Sequence, residues 1–188
     1  MEVYIKDDNN FYKNIKRYKK SKNTIHFLYK DKDIIDDKNI NKYDDDIKFK
    51  IYCINALNIK DIKERYSYIY DVVCNYLDNK FYTDNICDFK NNRCISVRNN
   101  NHCSESKNGC CYGRKRGVCE HLKNNRCNIK SISCKLFTCR HLKKKGIKFK
   151  VNDIPLLKYF MNLQQKLIII NSFFKDKDEM IKLLVRYK

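Results

Sequence analysis

The residues most able to do chemistry in this chain are its cysteines. Nine of the eleven lie between positions 87 and 139. No two are separated by only two residues, which argues against zinc ribbons, RING-like sites and two-histidine fingers, because their metal sites use such short pairs. The odd total excludes complete disulfide pairing within one chain. We therefore expect thiolates that bind zinc or an iron–sulfur cluster, each of which takes four cysteine ligands.

Eight of these cysteines form the predicted ligand set, enough for two four-thiolate sites or for one site with spare thiols. They are Cys87, Cys94, Cys110, Cys111, Cys119, Cys127, Cys134 and Cys139. Adjacent cysteines point in different directions, so Cys110 and Cys111 are expected to serve different sites. Cys103 is left out because its surroundings, NNNHCSES, are typical of exposed chain. His121 and His141, each two residues after a cysteine, are alternative ligands.

The double cysteine Cys110-Cys111 is followed by VCEHL (118–122), RCNI (126–129) and SCKLFTC (133–139). In order and side-chain context these elements, within residues 103–142, resemble the zinc- or iron-chelating cysteine-cluster family of the YkgJ type. The family signature is C-x2-C-x2-C-C, followed by single cysteines beside hydrophobic and basic residues. The resemblance implies a chelated zinc or iron. The family's opening pair is missing before Cys110. Cys103 is the nearest substitute in sequence, and Cys87 and Cys94 are the alternative that would supply the whole pair.

Basic residues surround the cysteines. Residues 87–150 hold 17 Lys and Arg against three Asp and Glu, whereas residues 1–86 hold 17 against 15. An AT-rich genome would enrich lysine everywhere, so it does not explain this block. One interpretation is that the cations stabilise thiolates. The alternative is a nucleic-acid contact surface, with Tyr112, Phe137 and Phe149 available for stacking. Its candidate phosphate contacts are Arg114, Lys115, Arg116, Lys143, Lys144 and Lys145.

A second alternative is an iron–sulfur redox or group-transfer enzyme. It rests on resemblance alone, since flagellin lysine methylases are similar in carrying such a cysteine cluster. The chain shows no Gly-rich cofactor loop, no Ser-His-Asp arrangement and no paired-carboxylate motif. The sequence therefore predicts no catalytic residue. It favours a metal-binding protein over an enzyme.

The elements that must position the cysteines lie on either side of them. Weak alternation in EVYI and TIHFLY predicts short strands near the N-terminus, separated by a basic stretch at 13–22. Asp44 to Asp46 can cap a helix whose apolar face includes Ile47, Ile51 and Ile54. Asp61-x-x-Glu64 resembles the capping box of a second helix, which should reach about Lys80. Cys53 and Cys74 fall among apolar residues of these two helices, where we expect core thiols.

The predicted fold is mainly α, with small β elements near the N-terminus and an irregular, metal-bound cysteine-rich segment. Its parts are an N-terminal region (1–82), the cysteine-rich segment (83–148) and a C-terminal helical hairpin (149–188), forming one compact unit. The middle segment is too polar to fold alone, so we expect metal to crosslink it. No secretory signal is visible, and the longest aliphatic run, 167–170, is far too short to cross a bilayer. The expected compartment is the reducing cytoplasm, without membrane partners.

Overall fold

A computed structural model describes residues 1–35, 37, 39–83, 86, 121–123 and 126–188 of the protein. These residues are mainly helical, with a small sheet at the N-terminus, which confirms the predicted class. In chain order the helices are α1 (Phe11–Tyr18), α2 (Asp45–Asn58), α3 (Ile62–Thr83), α4 (Ile132–Leu136), α5 (Arg140–Lys144), α6 (Pro155–Phe160), α7 (Leu163–Asn171) and α8 (Lys177–Arg186). The strands are β1 (Glu2–Lys6), β2 (Thr24–Tyr29), β3 (Lys32–Asp33), β4 (Leu122–Lys123) and β5 (Arg126–Cys127). Short 3-10 turns lie at Ile40–Lys42 and Val151–Asp153.

The N-terminal sheet has the order β1-β2-β3, with β1 and β2 parallel and β3 antiparallel to β2. Parallel neighbours require a crossover connection, and α1 supplies it by burying Phe11 and Ile15. The sequence predicted both strands, but it did not predict this helix in the basic stretch between them. Lys30 and Asp31 join β2 to β3 with φ values of 50° and 58°, as a tight type I′ hairpin requires.

Helices α2 and α3 begin where the aspartates predicted. The Asp44 carboxylate accepts a hydrogen bond from the Ile47 N–H at 2.9 Å. Asp61 accepts one from the Glu64 N–H at 2.8 Å. Each carboxylate satisfies an amide that has no partner within its helix, and its charge suits the positive end of the helix dipole. The second helix runs slightly beyond the predicted end, to Thr83.

The C-terminal region contains a break that the sequence pattern did not reveal. Helix α6 ends at Phe160 and α7 starts at Leu163, although neither glycine nor proline lies between them. Asn162 caps α7 in a reciprocal arrangement with Gln165, and both hydrogen bonds are 2.9 Å long. The break turns Leu163 and Leu167 outward, with 74% and 51% of their surfaces exposed.

One apolar core joins both ends of the chain. It contains Ile5 of β1 and Leu184 of α8, together with the inner faces of α2 and α3. Helix α8 packs along α3, and α7 packs beside α8. Ile132 of α4 is also completely buried, so the stretch predicted to be irregular contributes to the core. Among the described residues, no helix combines the length and the apolar character that a bilayer crossing needs.

Candidate functional site

Most of the predicted metal ligands lie outside the described residues. These are Cys87, Cys94, Cys110, Cys111 and Cys119, and the same holds for the predicted phosphate contacts Arg114, Lys115 and Arg116. Cys127 lies in β5, which pairs with β4 so that Cys127 is opposite Leu122. Cys134 and Cys139 lie within the described range 126–188. In the part of the chain that the structure describes, no three His, Cys, Asp or Glu side chains form a metal-binding group.

The described thiols occupy two kinds of environment. Cys53 and Cys74 have no exposed surface and belong to the core, as predicted. Burial raises the pKa of both thiols, to about 12 for Cys74, so they are neutral across the physiological range. Cys134 and Cys139 are instead partly exposed. Only the second pair is therefore placed to bind a ligand from outside the core.

Cys134 lies on a helix that is fixed at three points. The Ile132 N–H donates to the Tyr70 hydroxyl of α3 at 3.1 Å. The Ser133 hydroxyl donates to the main-chain carbonyl of Ile169, and the buried Lys135 ammonium pairs with Asp78. The Cys134 sulfur accepts the Phe174 N–H at 3.3 Å. A backbone N–H directed at sulfur stabilises negative charge on it, which suits a thiolate ligand.

Cys139 stands immediately before α5, and its carbonyl accepts the Lys143 N–H at 3.0 Å. The turn after the helix includes Gly146, which has a φ of 76°, a conformation that L-residues other than glycine rarely adopt. Lys143 and Lys144 at the end of the helix and Lys145 just after it are exposed. None of the three forms an ion pair with any residue that the structure describes.

A cavity of about 380 Å³ lies beside this segment. Its walls are mostly apolar and include Phe137, Phe149 and Phe173, while Lys143 and Lys148 are among the residues around it. The sequence predicts Phe137 and Phe149 as stacking residues and Lys143 as a phosphate contact. It had not indicated Phe173, because only the tertiary fold brings α7 and its C-terminal flank against this segment.

Three of the four histidines lie in different parts of the described structure. His121 lies in a turn before β4, and its carbonyl accepts the Asn128 N–H at 2.8 Å. His141 belongs to α5. His26 lies on the N-terminal sheet, where its Nδ1 is 2.6 Å from an Asp33 carboxylate oxygen and its ring stacks on Tyr4. His26 therefore has interaction partners of its own on the N-terminal sheet.

Comparisons of this chain with protein-family models, with curated proteins and with solved structures find no match.

Proposed function

We propose that the protein is a cytoplasmic metal-binding protein that holds zinc or an iron–sulfur cluster through cysteine thiolates. The observation that carries the proposal is the contrast between two pairs of thiols. Cys53 and Cys74 are buried as core residues, while Cys134 and Cys139 are partly exposed beside the basic segment. Cys134 and Cys139 are thus proposed as ligands. The rest of the proposed set is Cys87, Cys94, Cys110, Cys111, Cys119 and Cys127.

Electrostatics supports this assignment. Four thiolates around Zn²⁺ carry a net charge of −2, which is costly unless cations lie nearby. The surplus of fourteen basic over acidic residues in 87–150 supplies them. Among the described residues, two basic residues of this segment are already paired with carboxylates: Lys130 with Asp71, and the buried Lys135, next to Cys134 in the chain, with Asp78. The other basic residues of the segment are the ones proposed to balance a metal–thiolate centre.

The metal would act chiefly by crosslinking the cysteine-rich segment to the helical base. Its attachment point is α4, which the hydrogen bonds of Ile132 and Ser133 hold against α3 and α7. A thiolate on such an anchored helix loses little conformational freedom when it binds metal, and the binding free energy then contributes to folding.

The test is metal content together with the visible spectrum of the full chain purified without oxygen. Iron and sulfide near four per chain in brown protein would identify a cluster and would favour the redox or group-transfer alternative. Colourless protein with one or two zinc ions per chain would identify a structural site. Protein without either metal, with all eleven thiols titratable, would refute the proposal.

Matched alanine variants assign the ligands. Cys134→Ala and Cys139→Ala should lower the bound metal per chain. Cys53→Ala removes a thiol of the same size from the core and should leave the metal content unchanged, because that thiol is neutral and buried. Equal metal loss in Cys53→Ala and Cys134→Ala would indicate general unfolding rather than loss of a ligand.

Nucleic-acid binding is a second candidate function. The observation in its favour is that Lys143, Lys144 and Lys145 are exposed and form no ion pair within the described ranges. Affinity for an oligonucleotide should fall steeply with salt, since each phosphate contact releases counterions. Lys144→Gln should weaken binding, whereas Lys32→Gln, on the N-terminal sheet, should not. Affinity that is constant between low and moderate salt would exclude this function.

A further inference from the structure

We propose that the cavity beside α5 seats the bases of a single-stranded nucleic acid, with its phosphates on the surrounding lysines. The inference rests on the second candidate function and deepens it, because it assigns the binding site and the strandedness of the ligand. The cavity is formed by the end of α4, by α5 and by the chain that follows α5, with the end of α7 closing one side. Its volume of about 380 Å³ is within the range of small-ligand pockets.

The aromatic residues point to bases as the ligand. Phe137, Phe149 and Phe173 all line the cavity, and each remains partly exposed. Phe137 packs edge-on against Phe173, with ring centroids 6.1 Å apart, and Phe149 rests against Phe81 of α3 at 5.2 Å. These contacts hold the rings in place. Little side-chain entropy is therefore lost when a base stacks on them. Bases within a duplex already stack on one another, so only a single strand offers free base faces.

The lysines point to a polyanion as the ligand. Lys143, Lys148 and Lys150 line the cavity, and Lys144 and Lys145 continue the positive surface beyond it. Residues 139–150 contain no acidic residue. The Lys150 main-chain N–H donates to the Asp153 carboxylate at 3.1 Å, but no ammonium group of these five lysines forms an ion pair in the described part of the chain. An amphipathic carboxylate would neutralise one of them. A chain of phosphates neutralises several, which makes an oligonucleotide the better complement.

The polar groups of the cavity indicate weak base preference. The Ser133 hydroxyl is already bonded to the Ile169 carbonyl. The Thr138 hydroxyl donates to the Leu136 carbonyl and accepts the Phe149 N–H, each at 3.3 Å. The Asn152 amide and the lysines are therefore the polar groups left for a ligand. Stacking and charge then dominate binding, and both are tolerant of sequence.

The test measures binding of the full chain, as purified, to fluorescent twelve-nucleotide probes by anisotropy. The probes are a thymidine single strand, an abasic strand of equal charge and a duplex. We expect the abasic strand to bind about tenfold more weakly than the thymidine strand, because it cannot stack. The duplex should also bind more weakly. Log affinity of the thymidine strand should fall with log salt with a slope of about −2 to −3.5, for three to five phosphate contacts.

Two kinds of variant separate stacking from charge. Phe137→Leu keeps an apolar wall but removes the ring. It should weaken binding of the thymidine strand about tenfold and leave binding of the abasic strand unchanged. Phe173→Leu is the second such variant, in case the first does not fold. Lys148→Gln should weaken binding of both strands equally and should make the dependence of log affinity on log salt less steep. Lys32→Gln is the matched control and should alter neither strand.

The outcomes distinguish this inference from the function on which it rests. Equal binding of the thymidine and abasic strands, with a clear effect of Lys148→Gln, would retain nucleic-acid binding and overturn the stacking site. No binding of any probe at low salt would refute both. Binding of a fluorescent long-chain carboxylate that competes with no oligonucleotide, and that Phe137→Leu abolishes, would assign the cavity to an apolar anion and overturn the inference.

Discussion

Replacement of Tyr70 by phenylalanine tests whether the helix that carries Cys134 is anchored on α3. The Tyr70 hydroxyl accepts the Ile132 N–H at 3.1 Å. Only 1% of Tyr70 and none of Ile132 is exposed. Ile132 is the first residue of α4, where an amide has no acceptor within its own helix. The substitution removes the acceptor and leaves the ring in place.

The expected cost follows from that single lost contact. A buried amide without a partner destabilises a protein by about 1–3 kcal/mol, and the retained ring leaves no large cavity to add to it. We expect the free energy of unfolding to fall by about 2 kcal/mol and Tm by about 4–8 °C. Burial raises the pKa of Tyr70, so its hydroxyl is neutral at ordinary pH. The loss should therefore be the same from about pH 6 to 9.

Urea unfolding of the full chain, under reducing conditions and with a chelator present, measures this loss. The urea concentration at the unfolding midpoint should fall. The slope of the unfolding free energy against urea concentration should stay unchanged, because the surface exposed on unfolding is the same. Tyr4→Phe is the matched control. The Tyr4 hydroxyl is on the surface and donates to the Glu2 carboxylate at 3.2 Å. Its removal should change the free energy of unfolding by less than about 0.5 kcal/mol. A Tyr70→Phe variant as stable as Tyr4→Phe would contradict the anchoring. Faster labelling of Cys134 without a change in midpoint would indicate local release of α4 instead.

Three other perturbations have defined outcomes. In native, metal-free protein, an alkylating reagent at neutral pH should modify Cys134 well before Cys74, whose pKa burial raises to about 12; mass spectrometry of digested protein measures the order, and equal rates would contradict it. Burial disfavours the Asp71 carboxylate, but hydrogen bonds from two lysines outweigh this and lower its pKa. The stabilisation from these ion pairs is thus complete at neutral pH and is lost as the pH falls through the lowered pKa of Asp71. Asp71→Asn should therefore flatten the acid side of the curve of unfolding free energy against pH, and an unchanged curve would refute the assignment. Gly146→Ala should cost about 1 kcal/mol of unfolding free energy in urea, from backbone strain alone, because a Cβ there would meet nothing within 4 Å; a stabilised variant would exclude the left-handed conformation.

The parts of the fold that sequence predicted correctly depend on local signals. Asp44 and Asp61 mark helix starts because a carboxylate at that position accepts a hydrogen bond from an N–H in the first turn of the same helix. Cys53 and Cys74 could be assigned to the core because their apolar neighbours recur at helical spacing. The Asn162–Gln165 capping pair is an equally local signal, but the apolar pattern continues across it without interruption and so favours one unbroken helix.

The remaining features depend on contacts distant in sequence. Ile132 lies in a polar, cysteine-rich stretch, and its burial follows from the position of Tyr70, 62 residues earlier. Phe173 joins the cavity only because α7 folds back against the segment after α4. The metal ligands were predicted from residue type and spacing, and for Cys134 the structure adds a specific hydrogen bond to sulfur.

The packing of α8 along α3 has a consequence for synthesis of the chain on the ribosome. Helix α3 is complete at Thr83, but the helix that covers part of its apolar surface begins only at Lys177. At usual elongation rates of about 5–20 residues per second, this delay lasts roughly 5–20 s. During that interval the surface of α3 against which α8 packs lacks its final cover. Nascent chains arrested before Lys177 should therefore bind holdase chaperones, and chains in which α8 has been completed and has left the ribosome should be released from them.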